Sequence, residues 1–401
     1  MKPETLDALG VEKGSRLKAL RRKGWERFEA LPWPVKTDEE WRRTDPEQFH
    51  LETVNLQPAS PGVRVGWEPV PPEWIRMGVI LTDLNTALNQ FPDLVDQYLF
   101  KTGTPEGLAK FAALHEALWG NGLFCYIPEG VRVTVPLKAW IEATQDNRPI
   151  FPHTLIVVGK GAEVTLHQER RSQEAASIIS NEMVEIILHE GATLRTVYLQ
   201  KWGPSVKELF SQRALVGRDA LFMNLNVGIG GHVIKANVET ILQETGAHAE
   251  LFGILLGTGE RHMDFHTLQD HNAPHTFSDL LYKSALKDRS ESVYTGLIRI
   301  RKHAEKSDAY QANRNLLLSE GATADSVPML EIETNDVRCT HGVAVGPIDE
   351  EQAFYLMSRG IPPKEAEHLI TEGFFDQVFK RIPVDGLSEQ LLAEVTSRLD
   401  G

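Results

Sequence analysis

Between Gly122 and Gly346 one pattern recurs, and it limits the fold more than any other feature of the chain. A turn of small residues followed by alternating apolar side chains returns in "GKGAEVTLHQE", "HEGATLRTVYL", "GRDALFMNLNV", "TGAHAELFGIL" and "SEGATADSVPM". Ala162, Ala192, Ala220 and Ala247 stand about 28 residues apart, and two longer steps reach Ala322. A β-solenoid needs this arrangement: each coil turns its corners where glycine and alanine fit, and stacks an inward apolar ladder on its neighbour. Val164, Leu166, Leu194, Val197 and Leu251 are expected to point inward, with Thr165 and His167 outward. The competing arrangement is a β-sandwich of regular hairpins. Tight Asn-Gly or Asp-Gly hairpin turns are scarce, however: Asn121-Gly122 and Asp385-Gly386 lie at the margins of the repeat or beyond it.

The expected fold class is therefore mainly β, a solenoid over residues 122–346 flanked by helical regions over 1–121 and 347–401. Near the start, Leu17, Leu20, Phe28 and Leu31 fall at helical spacing among basic residues, and "NLQPASPGVRVGWEPVPPEW" reads as a Pro-rich linker. "TPEGLAKFAALHEALWG" reads as a helix capped by Thr104 with Pro105 at its first position. After Gly346, Asp349 is an N-cap, Gly360 a stop, and Ala366, Leu369, Ile370, Phe374 and Val378 form one apolar face. These C-terminal helices are expected to cap the open end of the solenoid or to offer a docking platform. Phe354, Phe374 and Phe375 exceed what one solenoid end must cover and are candidate partner-binding anchors.

Two cysteines argue against a disulfide framework, so the chain reads as reduced and cytoplasmic. No apolar run approaches the roughly 18 residues needed to span a bilayer. A net charge of −14 argues against nucleic acid as a partner. The phosphate-cradling GxxxxGK[ST] loop is absent, as are HExxH, paired CxxC and GxSxG, so the chain is not expected to hydrolyse ATP by itself. In "NDVRCTHGVAVG", Cys339 and His341 share one face of an extended segment, and Arg338 with a protonated His341 would favour a thiolate. The pair suits iron or an iron–sulfur species, but two ligands do not complete a site. The alternative is that Cys339 is a small packed residue. "HMDFHTLQDHNAPH" carries His262, His266, His271 and His275, a weaker metal candidate at His266 and His271, set against outer-face polar side chains. Cys125, in "GLFCYIP", reads as core.

"SDAYQANRNLLLSEGATADSVPMLEIETNDVRCTHGVAVGPIDEEQAFYLMSRGIPPKEAEHLITEGFF" closely resembles the C-terminal region of the SufB/SufD family of iron–sulfur cluster assembly proteins. "KTDEEWRRTDP" resembles the N-terminal segment common in the SufD branch. The segment "AYQANRNLLLSEGATA" has no cysteine and Gly342 follows the histidine, where SufB members carry a cysteine and an acidic residue, so the resemblance is to SufD. It implies a right-handed parallel β-helix and a non-catalytic scaffold in a complex with a SufB-like paralogue and a SufC-like ABC ATPase. It also implies a part in iron acquisition, with Cys339 and His341 at positions where iron or a nascent cluster is held transiently at the partner interface. No tightly bound cofactor is expected, flavin included, and a homodimer is expected for the chain alone. The competing class is a carbohydrate-active β-helix enzyme, which needs acidic or basic catalytic residues in an open groove on the solenoid flank. A metal-storing module built on the four histidines is a third.

Overall fold

The computed structural model describes residues 15–49, 62–105, 107–144, 148–382 and 387–399. Among them, two nine-stranded sheets face each other, and from Leu123–Ile127 onward successive strands alternate between the two. Each strand of the stack pairs in parallel with the strands two places before and after it, so two strands and two corners make one coil. The result is a parallel β-solenoid of about eight turns with helices at both ends of the chain. A hairpin sandwich is excluded because, among the described residues, antiparallel pairing occurs only at the first coils, where Val63–Trp67 lies on Leu137–Ala143 and Ile80–Asp83 on Leu123–Ile127. The first of these edge strands comes from the expected Pro-rich linker. Of that linker, residues 55–61 lie outside the described residues, as does the Asp385-Gly386 pair, and its end enters the short helix Pro72–Arg76.

The alanine spacing is a corner column. The amides of Thr193, Leu221, His248 and Phe277 donate to the carbonyls of Ala162, Ala192, Ala220 and Ala247 at 2.8, 2.8, 2.9 and 3.0 Å, coil upon coil. Before each alanine the backbone turns left-handed, at Gly161, Gly191, Asp219 and Gly246. The same turn recurs at His275 (φ 58°) and Lys306 (φ 63°), where Thr276 and Ser307 replace the alanine. Ala322 is not in this column. The Thr323 amide donates to Ser290, which puts Ala322 at the opposite corner, two and a half coils from Ala247.

Val164, Leu166, Leu194 and Leu251 are buried inside the solenoid as expected. Val197 is not: it points outward between Thr196 and Tyr198, and is buried with Leu225, Phe252 and Ile254 beneath the helices Pro363–Phe379 and Leu387–Leu399. Those helices therefore lie along one flank and do not cap the open end. The other flank is covered from the N-terminal side, where Trp41, Phe49 and Phe111 pack on Leu209 and Val233. Helices thus occupy both flanks where a carbohydrate-active β-helix needs an open groove. Thr104 caps nothing. The helix begins at Ala109, and Thr104 accepts a hydrogen bond from Arg27 Nη2 at 3.0 Å.

Candidate functional site

The last coil ends in two edges. Among the described residues, Arg338–Pro347 pairs only with Asp308–Leu317, and Thr323–Ile332 only with Glu291–Ile300. Cys339 continues the inward column of Val164, Leu194, Phe222, Ala249, Ser278 and Ala309. His341 continues the column of Leu166, Thr196, Asn224, Leu251, Leu280 and Gln311. The face they share is therefore the inner face, left uncovered because no described coil follows. His341 is exposed, and Cys339 is half-buried against a cluster of Ile298, Ile300, Ala304 and Ala309. Leu330, Ile332, Val343 and Val345 point the same way and remain 37–45% exposed.

The expected thiolate is not supported in this chain alone. Arg338 alternates to the opposite face, 85% exposed and 3.9 Å from Asp308. Partial burial and then the Asp308 charge push the Cys339 thiol up to about 11. Cys339 is thus a neutral thiol that must release a proton when a metal takes it. Cys125 is fully buried in the core, and burial raises it to about 12.

The histidine-rich strand does not bring its side chains together. Five residues separate His266 from His271, so they face opposite sides of the strand. His271 points inward, hydrogen-bonded to Thr276 Oγ1 at 2.7 Å and Ser278 Oγ at 2.8 Å, and burial lowers its pKa to about 3. His266 points outward, with Nδ1 2.7 Å from Glu40 Oε2 and Nε2 3.0 Å from Asp264 Oδ1. His262 sits between Thr44 Oγ1 and Glu291 Oε2, both at 2.8 Å, and His275 is a corner residue. Among the described residues no group of three or more His, Cys, Asp or Glu side chains is placed to hold a metal ion.

What sequence reasoning missed lies beside His266. Lys235 Nζ, fully buried, reaches the Glu40 carbonyl at 2.6 Å and Asp264 Oδ2 at 2.8 Å, so the "DEEWRRT" segment is pinned across the solenoid by a buried ion pair. Nothing in the local sequence of Lys235 signals a partner so distant along the chain.

Of the three aromatic candidates, Phe354 is 69% exposed, on the helix Glu350–Ser358, which Asp349 caps through the amides of Glu351 and Gln352. Phe374 is half-buried with Lys283 Nζ 4.5 Å from its ring centre. Phe375 is fully buried against the sheet and presents nothing to a partner. The buried face of its helix runs through Ala366, Thr371, Phe375, Val378 and Phe379, one step round from the expected face. Leu369, Ile370 and Phe374 instead line an open groove of about 950 Å3 with Leu316, Tyr355 and Leu356.

Comparison with known proteins adds the context. The family profile described as "SUF system FeS cluster assembly, SufBD core domain" matches residues 141–374. An iron–sulfur cluster assembly protein SufD of Bacillus subtilis is 32% identical over 325 residues, covering 80% of this chain and 74% of the relative. A SufBD family protein of Staphylococcus saprophyticus is 29% identical over 340 residues, 84% of this chain and 72% of the relative. Bacillus subtilis SufB has the same identity and coverage. No helix among the described residues is long and apolar enough to cross a membrane.

Proposed function

We propose, because this chain belongs to the SufBD family of iron–sulfur cluster assembly proteins, that it is a SufD-type, non-catalytic scaffold subunit whose open solenoid end joins a SufB-like paralogue. The observation that carries this reading is the uncovered last coil. Among the described residues it has two unpaired parallel edges and an inner face that exposes Leu330, Ile332, Val343 and Val345. An edge of that kind aggregates unless another chain pairs with it. Cys339 and His341 lie on the same inner face, so a subunit that closes the end also supplies the ligands the pair lacks. Iron or a nascent cluster is cargo held transiently at that junction, and the step contributes to iron acquisition. Phe354 and the groove beside Tyr355 and Leu356 serve a SufC-like ABC ATPase, which brings the nucleotide chemistry this chain lacks. Without its paralogue, the chain pairs its open end with a second copy. The cytoplasm, where thiols stay reduced, is the compartment this chemistry needs.

Co-expression with the two partners, followed by native mass measurement, tests the assembly. Cys339→Ser and His341→Ala are expected to leave the complex intact and abolish its iron–sulfur absorbance. Full cluster formation in both variants would reduce the pair to packing, and absence of the paralogue from the complex would sink the scaffold reading.

A further inference from the structure

On the first coils, far from the open end, three fully buried ionisable side chains form a hydrogen-bonded row that the scaffold role leaves unused. His115 comes from the helix Ala109–Leu118, His153 opens the strand His153–Val158, and Glu185 stands on Ile179–Leu188. His115 Nδ1 lies 2.8 Å from the Asn181 carbonyl and its Nε2 lies 3.0 Å from His153 Nδ1. His153 Nε2 in turn lies 3.2 Å from Glu185 Oε2. A loop wraps the same carboxylate. The Phe100 amide donates to Oε2 at 2.5 Å, and Thr102 donates to Oε1 through its amide at 3.0 Å and its hydroxyl at 2.8 Å. Phe100 holds a left-handed backbone, φ 56°, which a bulky residue keeps only where its surroundings impose it.

The contacts determine how many protons the row carries. A carbonyl only accepts, so His115 Nδ1 bears a hydrogen. Glu185 takes four donors on its two oxygens, which requires the ionised form, so His153 Nε2 bears a hydrogen too. One more hydrogen lies between His115 Nε2 and His153 Nδ1, because two lone pairs repel there and two hydrogens clash. Three hydrogens on two rings make one positive charge, balanced by Glu185.

The surroundings agree with that count. Burial and the neighbouring His153 hold His115 well below the ordinary histidine value. Burial alone would raise Glu185, but His153 and the two loop amides outweigh it and lower it. Nearby charges have partners of their own. Arg213, the strand neighbour of Glu185, pairs with Glu239, and Glu116 pairs with Arg27 at 2.6 Å. Arg21 bonds the Trp119 carbonyl at 2.8 Å, Lys110 bonds the carbonyls of Phe28 and Leu31, and Lys101 is exposed.

We infer that His115, His153 and Glu185 form a latch around one shared proton, which fastens the loop of residues 99–103 and the helix Ala109–Leu118 to the first coils. The latch opens when that proton is lost or a second one is added. Once released, two histidines hold two protons well below their ordinary value of about 6.5 and none well above it. Closing therefore releases a proton below about pH 6.5 and takes one up above it, so the latch is tightest near that pH.

The test is hydrogen exchange of the full chain from pH 5 to 8.5, read by mass spectrometry and corrected for the intrinsic rate. Peptides of the helix Ala109–Leu118 are expected to show an opening constant that is smallest near pH 6.5. It should rise by up to about tenfold per pH unit on either side. That minimum should vanish in His115→Gln and in His153→Gln. Where a variant fails to fold, nitrogen-15 spectra of the histidine-labelled native chain still read the count, and one ring protonated on both nitrogens is expected at pH 6.5. Two neutral rings, a flat or one-directional pH profile, or a minimum retained in both variants overturns the inference. So does exchange of this helix in step with the strand His262–His271, which would make the row part of the whole fold's stability and no separate latch.

Discussion

Lys235 and Asp264 meet at 2.8 Å with both side chains shut off from solvent, directly beneath Glu40 and Trp41. Removing one partner leaves an uncompensated buried charge, so Asp264→Asn is expected to cost about 3–5 kcal/mol in urea unfolding. A loss below 1 kcal/mol would show that the pair is solvated.

The same cluster sets a pH window. Burial alone would raise Asp264, but Lys235 and His266 outweigh it and hold the carboxylate well below its usual range. Its contribution is complete above the ordinary Asp value of about 4 and is lost as pH falls through the lower folded value. For His266, burial is outweighed by Asp264 and Glu40, so its pKa is raised. That contribution is complete below about 6.5 and is lost as pH rises through the folded value. The Tm difference between the native chain and His266→Gln is therefore expected to be largest near pH 6 and to shrink toward pH 9. A difference that grows with pH contradicts this assignment.

Cys339 is expected to alkylate slowly in the isolated chain near neutral pH, its rate climbing roughly tenfold per pH unit until about pH 11. Cys125, fully buried, should react only on unfolding and serves as the internal control. Mass spectrometry after timed iodoacetamide treatment reads both. Fast, pH-independent labelling of Cys339 at pH 7 would mean that the thiolate is already present.

Phe354 and Phe375 should separate docking from packing. Phe375→Ala is expected to lose about 3–5 kcal/mol of stability, because it empties a buried ring site beneath the helix. Phe354→Ala should stay within about 0.5 kcal/mol while weakening ATPase capture. Unchanged capture by Phe354→Ala places the docking surface elsewhere.

Lysines at Val343 and Val345 would put charge on the open inner face. The double variant should sediment as a monomer and fail to recruit the paralogue, with native circular dichroism. Retained association would move the junction away from the last coil.

The period and the alternation were legible because they are local: a corner needs a small or left-handed residue, and a strand's side chains alternate strictly. Hence Ala162 to Ala247, the inward Val164 and Leu194, and the Asp349 cap could be read directly. Phe375 could not. Val197 follows the alternation, since three residues from the inward Leu194 it falls on the outer face. An apolar side chain reads the same whether it faces a solenoid interior or a helix laid on the outside, and only the alternation register assigns it. The histidine cluster failed for a related reason, since closeness in sequence along a strand splits odd and even positions between two faces.

By itself the sequence determined a coiled β architecture, its corner column, its family likeness and the pairing of Cys339 with His341 on one face, because each rests on spacing within a strand or a coil. Only the tertiary structure decided that the C-terminal helices take the flank and leave the end open, and that Lys235 pins the N-terminal segment. Those outcomes depend on which surfaces meet across tens to hundreds of residues. Burial, which sets the Cys339 thiol and the Lys235–Asp264 pair, exists only once they have met.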